Sequence, residues 1–224
     1  MFATLKPLLP RLLSYFVALL IMSFGISFSV ASQLGVSPVS SLPFAVSQVT
    51  GVSMGTMVTS FFIFFILCQI LLLRKDYRWI NLSQLLVSFV FGYLVDFANW
   101  VVLPRVIPVN YLAQLGSFVI SVVFISFGLT LYVRAQIMVL PPEGVLLALI
   151  QRKHTLTFSR VKMMFDSVMV LLALTISWSF LGHVDGIREG TIISAFAIGR
   201  MVPMHTLLIE KVGRMIPIKR TESP

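Results

Sequence analysis

Apolar residues gather into six long segments along the chain, and charged, glycine and proline residues concentrate between them. Each segment holds about 20 residues or more, which is the length that an α-helix needs to cross the hydrocarbon core of a bilayer. We therefore predict an all-α polytopic membrane protein with six transmembrane helices. They are approximately Leu12–Leu34, Met54–Leu73, Trp79–Leu103, Tyr111–Val133, Phe158–Leu181 and Thr191–Ile209.

Two shorter apolar segments, Val36–Val49 and Val139–Ile150, remain between these helices. At about 12–14 residues they fit a re-entrant or half helix better than a complete crossing. Pro38 and Pro141 stand near their starts, and proline removes a backbone donor and restricts the residue before it. Because broken backbone at membrane depth needs polar or water partners, the sequence predicts a polar cavity beside these two segments.

The two short segments occupy matching places in an internal repeat with an offset of 103 residues. Residues 25–38 align with residues 128–141, and after an insertion of four residues Gly92 aligns with Gly199. Duplicated apolar chains are a common plan of membrane transporters, whose sites lie between the two copies. We assign residues 1–104 and 105–212 to the two repeats of one membrane domain, and residues 213–224 to a basic cytoplasmic tail.

The composition supports the membrane assignment and excludes an ordinary soluble domain. Hydrophobic residues make up 58% of the chain and charged residues only 11%, against about 25% in soluble proteins. The single cysteine, Cys68, allows no internal disulfide, and the three histidines have no metal-ligand spacing. The sequence has no phosphate-binding loop, dinucleotide fingerprint or hydrolase motif, so we predict neither an enzyme nor a cofactor.

The formal net charge of +9 bears on topology, because lysine and arginine accumulate on the cytoplasmic side of membrane proteins. If the short segments turn back, fourteen basic residues lie inside and two, Arg105 and Arg188, lie outside. If both short segments cross, the division becomes eleven against five, so the positive-inside rule favours six crossings. The fourteen are Lys6, Arg11, Arg74, Lys75, Arg78, Arg134, Arg152, Lys153, Arg160, Lys162, Lys211, Arg214, Lys219 and Arg220.

Six crossings give each repeat three transmembrane helices, so the second copy enters the membrane from the opposite side. The two repeats are then inverted, whereas eight crossings would make them parallel. Both termini would lie in the cytoplasm, with the protein in the inner membrane of a bacterial cell. The basic tail lacks the aromatic residues of a nucleic-acid surface, so we expect membrane lipid headgroups beside it and no nucleic acid.

Ionisable residues within apolar segments are costly and therefore mark candidate sites. Glu143 follows a double proline, and it could bind a cation, carry a proton or pair with Arg134. Asp96 and Asp166 could join an ion or proton pathway. Alternatively, Asp96 is an interfacial carboxylate, and Asp166 pairs with Lys162 four residues earlier.

Three further polar residues stand inside or beside the apolar segments. Arg200, within the last helix, needs an anion or an acidic partner such as Asp96 or Asp166. Gln33 and Gln136 occupy matching places just before the short segments, and their amides could bridge the repeats or contact a solute. The candidate substrate-binding residues are Gln33, Ser37, Ser40, Gln136, Glu143 and Arg200.

Three elements of the first half carry a resemblance to a known family: LGVSP at Leu34–Pro38, TGVSMGT at Thr50–Thr56 and a G-x-x-x-D ending at Gly92–Asp96. In order and spacing they resemble the YczE/YitT-like family of bacterial integral membrane proteins over roughly residues 20–100. The second half, with its IGR segment, resembles the family more loosely. The resemblance implies a small polytopic inner-membrane protein and no particular substrate.

These observations predict a small secondary transporter or exporter that moves an unidentified small polar solute by alternating access between two repeats. Arg200 would favour an anionic or zwitterionic solute, and Glu143 would couple transport to protons or a cation. The alternative is a non-transporting accessory or scaffold protein that acts through a partner. The expected partners are membrane lipids and the solute, with a homodimer or a partner protein left open.

Overall fold

A computed structural model describes residues 8–153 and 155–215, which form eight α-helices, two short 3-10 segments and no strand. Most of the expected basic tail, residues 216–224, lies outside this range, as does Lys6. The helices are α1 (Leu8–Ser32), α2 (Pro38–Thr50), α3 (Met54–Leu73), α4 (Gln84–Val102), α5 (Tyr111–Ala135), α6 (Pro141–Arg152), α7 (Phe158–Leu181) and α8 (Glu189–Met215).

Six of the helices, α1, α3, α4 with the 3-10 turn before it, α5, α7 and α8, are long and apolar enough to cross a membrane. The short helices α2 and α6 have 13 and 12 residues and do not qualify. The predicted all-α polytopic membrane fold with six long helices is therefore confirmed. Pro38 and Pro141 are the first residues of α2 and α6, where a missing backbone donor costs nothing.

Helices α1 and α5 form the centre of the bundle and run antiparallel. Arg11, near the start of α1, donates hydrogen bonds to the carbonyls of Ala135 (3.0 Å) and Gln136 (2.6 Å) at the end of α5. Midway along, a Cβ on Gly25 would come within 2.8 Å of the backbone nitrogen of Ile125. In the most apolar window of each of these helices 50% of the residues are buried, against 6% in α8.

Helices at corresponding places in the two halves make corresponding contacts. Helix α1 packs on α4 as α5 packs on α8, and α2 packs on α7 as α6 packs on α3. The contact between α2 and α3 likewise has its counterpart between α6 and α7. Two pairs depart from this pattern in the described residues. Helix α3 packs along α4, whereas α7 and α8 barely touch, and α2 contacts α8, whereas α6 makes no comparable contact with α4.

Two glycines determine the close contact between α3 and α4. A Cβ on Gly92 would collide with the hydroxyl of Thr59 and the carbonyl of Gly55. One turn further along α4, the Asp96 carboxylate accepts hydrogen bonds from the Gly55 amide (2.7 Å) and the Ser53 hydroxyl (2.6 Å). A carboxylate at this place is favourable because the first amides of a helix carry partial positive charge. Asp96 therefore fastens the start of α3 to the end of α4.

We expect Gly92→Ala to reduce the free energy of unfolding by about 1–3 kcal/mol, because the added methyl group must push α3 and α4 apart. Its counterpart in the second repeat, Gly199, has no atom within 4 Å of an added Cβ, so Gly199→Ala is the matched control. Unfolding of both variants in detergent micelles measures the difference. Equal losses of stability would contradict the glycine contact as the cause.

Candidate functional site

A cavity of about 300 Å³ lies where the starts of the two short helices meet the long ones. Helix α2 contributes Ser37 and Ser40, and helix α6 contributes Glu143. Helix α7 adds Lys162 and Asp166, and α8 forms another part of the wall. The cavity lies beside both short segments, where the sequence predicts a polar cavity, but apolar side chains form most of its wall.

Hydrogen bonds within the linkers position both short helices. In the first repeat the Ser29 hydroxyl donates to the carbonyl of Gly35 (3.0 Å). At the equivalent place in the second repeat, the Tyr132 hydroxyl accepts a hydrogen bond from the Leu140 amide (2.6 Å), directly before α6. The ring of Tyr15 packs beside Tyr132, with centroids 5.6 Å apart. The start of α6, and with it Glu143, is therefore held by buried tyrosines.

Glu143 is the residue of the cavity whose polar groups are least satisfied. It stands in the first turn of α6, where the helix end favours negative charge. Its Oε2 atom is buried and has no hydrogen-bond partner among the described residues. Since burying an unpaired polar oxygen is costly, a proton or a bound cation would stabilise this carboxyl.

Lys162 and Asp166 lie one turn apart on α7, with 2.7 Å between the ammonium nitrogen and the carboxylate oxygen Oδ1. The structure thus forms the pair that the sequence offers as the simpler interpretation of Asp166, and it also places that pair in the cavity wall. Together with Glu143, the wall holds two carboxyl groups and one ammonium group. When all three are ionised, one negative charge is unbalanced.

Aromatic and aliphatic side chains form most of the remaining wall, and sequence reasoning did not identify them. The rings of Phe62 and Phe91 stack with centroids 5.7 Å apart and planes within 7°. Phe158, at the start of α7, lines the cavity from the other side. A signal was available in the repeat, because Phe62 aligns with Phe165 across the two copies.

The matched glutamines lie away from this cavity. Gln33 and Gln136 follow α1 and α5 with positive φ angles of 57° and 49°, which is a common way for a helix to end. Because α1 and α5 are antiparallel and about 37 Å long, the two amides lie at opposite ends of the bundle and do not bridge the repeats. Gln33 borders a separate, open cavity of about 500 Å³ near Arg188, whose guanidinium donates to the Gln33 carbonyl (3.3 Å).

Arg200 also lies outside the cavity, on the outer surface of α8. The residues that share its helical face, Phe196, Met204 and Leu207, are 70%, 65% and 67% exposed. Arg200 has no ion-pair partner in the part of the chain that the structure describes. The expected pairing with Asp96 is not formed, since that carboxylate caps α3.

Two other sequence-based expectations concern charge pairing and metals. Arg134 pairs with Glu210 at 3.9 Å, and not with Glu143. Within the described residues no cluster of histidine, cysteine, aspartate and glutamate could hold a metal ion. Of the candidate residues, the structure therefore brings together Ser37, Ser40, Glu143 and Asp166 and leaves Gln33, Gln136, Asp96 and Arg200 apart.

The similarity of this chain to known proteins extends over every residue of the site. The chain matches a family described as "Family of unknown function (DUF6198)" over residues 9–206. It is also similar to a Bacillus subtilis (strain 168) protein described as "Uncharacterized protein YyaS", at 28% identity over 200 residues, covering 88% of this chain and 92% of that protein. No solved structure matches it. The chain belongs to the DUF6198 family, whose function is unknown.

Proposed function

We propose that the protein is a secondary transporter that moves a small solute through the central cavity by alternating access between two inverted repeats. The observation that carries the proposal is the convergence of both short-helix starts on one cavity, with Ser37 and Ser40 from α2 and Glu143 from α6. The antiparallel α1–α5 pair and the corresponding helix contacts support the inversion. The proposal involves no enzymatic step and no cofactor.

Glu143 is the residue proposed to couple transport to protons or to a cation. Its buried, unpartnered oxygen can hold a proton in one state and release it when the solute arrives. Arg200 lies on the opposite side of α8 from the cavity, so the described side chains do not support the anionic preference that the sequence predicts. The solute is thus proposed to meet a carboxylate-rich wall.

We expect Glu143→Gln to reduce solute-driven proton movement at least about tenfold, because an amide side chain cannot take up and release a proton near neutral pH. The measurement uses purified protein in liposomes that contain a pH-sensitive dye. Amines, amino acids, carboxylates and sugars are added one class at a time, and wild-type protein should respond to at least one class.

The matched control is Glu189→Gln, which makes the same chemical change at an exposed carboxylate paired with Arg188 at 3.2 Å. This variant should retain wild-type flux. If no solute class moves with the wild-type protein, the transporter proposal is wrong. If Glu143→Gln moves protons with the solute as well as Glu189→Gln does, the coupling role of Glu143 is wrong.

A second candidate function, a non-transporting accessory protein, is favoured by the surface around Arg200. An arginine about 16 Å along α8 from Glu189 lies close to the middle of a bilayer, where a charged group facing lipid is costly. A membrane partner with a carboxylate would remove this cost. Stable copurification with one protein, lost in Arg200→Leu and accompanied by no flux in wild type, would select this function.

We further propose that the protein lies in a bacterial inner membrane with both termini in the cytoplasm. The narrower resemblance to the YczE/YitT-like proteins is proposed to reflect a shared arrangement of transmembrane helices. A reporter that is active only in the cytoplasm, fused after Pro224, should be active. A reporter that requires export, fused at the same place, should be inactive. The reverse pair of results would contradict the six-crossing topology with an internal N-terminus.

A further inference from the structure

Within the described part of the chain, the contact between α3 and α4 has no counterpart between α7 and α8, and these last two helices both line the cavity. In the first repeat α3 and α4 close on each other through Gly55, Thr59 and Gly92. The equivalent residues of the second repeat are Phe158, Lys162 and Gly199. A phenyl ring and a lysine therefore stand where the first repeat has a hydrogen atom and a small hydroxyl group. Side chains of this size do not allow the close glycine contact of the first repeat, and α7 and α8 remain apart.

The gap between α7 and α8 opens the cavity to the lipid-facing surface. Phe158 from α7 and Ala195 and Gly199 from α8 line the cavity and are also exposed, Phe158 by 48%. Gly199 has no atom within 4 Å of a built Cβ, so nothing fills the gap beside it. A molecule dissolved in the bilayer could reach the cavity here without passing through water.

The wall of the cavity suits a particular class of molecule. Stacked Phe62 and Phe91, together with Phe158, offer apolar surface and aromatic faces, which attract cations as well as hydrocarbon. The charged groups of the wall are Glu143, Asp166 and Lys162, of which the last two are paired with each other. With one ammonium group beside two carboxylates, the wall keeps one unbalanced negative charge, which favours a positive charge on an apolar body.

We propose that the gap between α7 and α8 is a lateral portal through which an amphipathic organic cation enters the cavity from the bilayer and pairs with Glu143. This proposal rests on the proposed transport function and narrows its substrate class. The negative charge of the wall disfavours amphipathic anions of the same shape, and the apolar wall disfavours small hydrophilic cations.

The substrate class is tested by binding of tritiated N-methyl-phenylpyridinium to the protein in lipid nanodiscs. Biphenyl carboxylate, which has the same shape and the opposite charge, and tetramethylammonium, which has the charge without the apolar body, serve as competitors. We expect saturable binding that neither competitor displaces and that weakens about tenfold in Glu143→Gln, as loss of a charged partner predicts. Absence of saturable binding, displacement by either competitor, or unchanged binding in Glu143→Gln would overturn the substrate assignment.

The portal is tested by Gly199→Leu, whose side chain would fill the gap. Gly116→Leu is the matched control, because Gly116 is also an exposed helical glycine with no atom within 4 Å of a built Cβ. We expect Gly199→Leu to slow association of the probe at least about fivefold and Gly116→Leu to leave it unchanged. Monodisperse elution of both variants shows that they fold. Equal association rates in the two variants would exclude the portal.

These outcomes separate the two proposals. If the flux assay shows transport that depends on Glu143 while the probe fails to bind, the cation is wrong and the transporter stands. If the probe binds and Gly199→Leu associates with it as fast as Gly116→Leu does, only the portal is wrong. If the wild-type protein moves no solute, the transport function itself is wrong, whatever the probe does.

Discussion

Close approach of α1 and α5 is the contact on which the rest of the molecule depends. Gly25 on one helix and its repeat counterpart Gly128 on the other remove the side chains that would hold them apart; a Cβ on Gly128 would lie 2.9 Å from the Ala18 carbonyl. Ser121, which is buried two turns before Gly128, lies on the same face of α5. Small residues of this kind allow helices to associate in lipid, where the hydrophobic effect supplies no drive. The antiparallel crossing makes the two linkers leave from opposite ends, so both short helices turn back toward one centre.

Comparison of the two repeats distinguishes two groups of residues. Those that are identical position the helices, and those that differ give the two halves different chemistry. Residues that are identical in both repeats, such as Gly25 and Gly128, allow helices to pack closely or the chain to change direction. Positions that differ change the chemistry of the cavity: Ser40 corresponds to Glu143, and Thr59 corresponds to Lys162. In the first half, α3 and α4 therefore pack closely through glycines and a hydroxyl group. In the second half, the helices supply the charged groups of the cavity wall, and a gap separates α7 from α8.

Much of this fold could be predicted from the sequence because its signals are local. Apolar length located the spans, and α3 and α7 begin and end at the predicted residues. Spacing of four residues gave the pair of Lys162 with Asp166, and the prolines marked the starts of the short helices. The place of the cavity beside those helices followed from the same prolines, but its mostly apolar wall did not.

The remaining features depend on contacts that sequence spacing does not reveal. The role of Asp96 is set by its hydrogen bonds to Ser53 and Gly55, 43 and 41 residues away. The outward direction of Arg200 could not be predicted, because apolar residues surround it on every side of α8 and leave no polar face to orient the helix. The matched glutamines both follow the ends of helices, α1 and α5, and do not share a site.

The order of synthesis gives the central crossing a further consequence. Arg11 and its acceptor Gln136 are 125 residues apart, and ribosomes add about 5–20 residues per second. Roughly ten seconds therefore pass during which α1 is in the membrane while its principal neighbour has not been made. During this interval the face of α1 around Gly25, which later packs on α5, meets lipid or the insertion machinery. The first half of the chain therefore lacks its main packing partner, and the bundle assembles only after the second repeat has been translated.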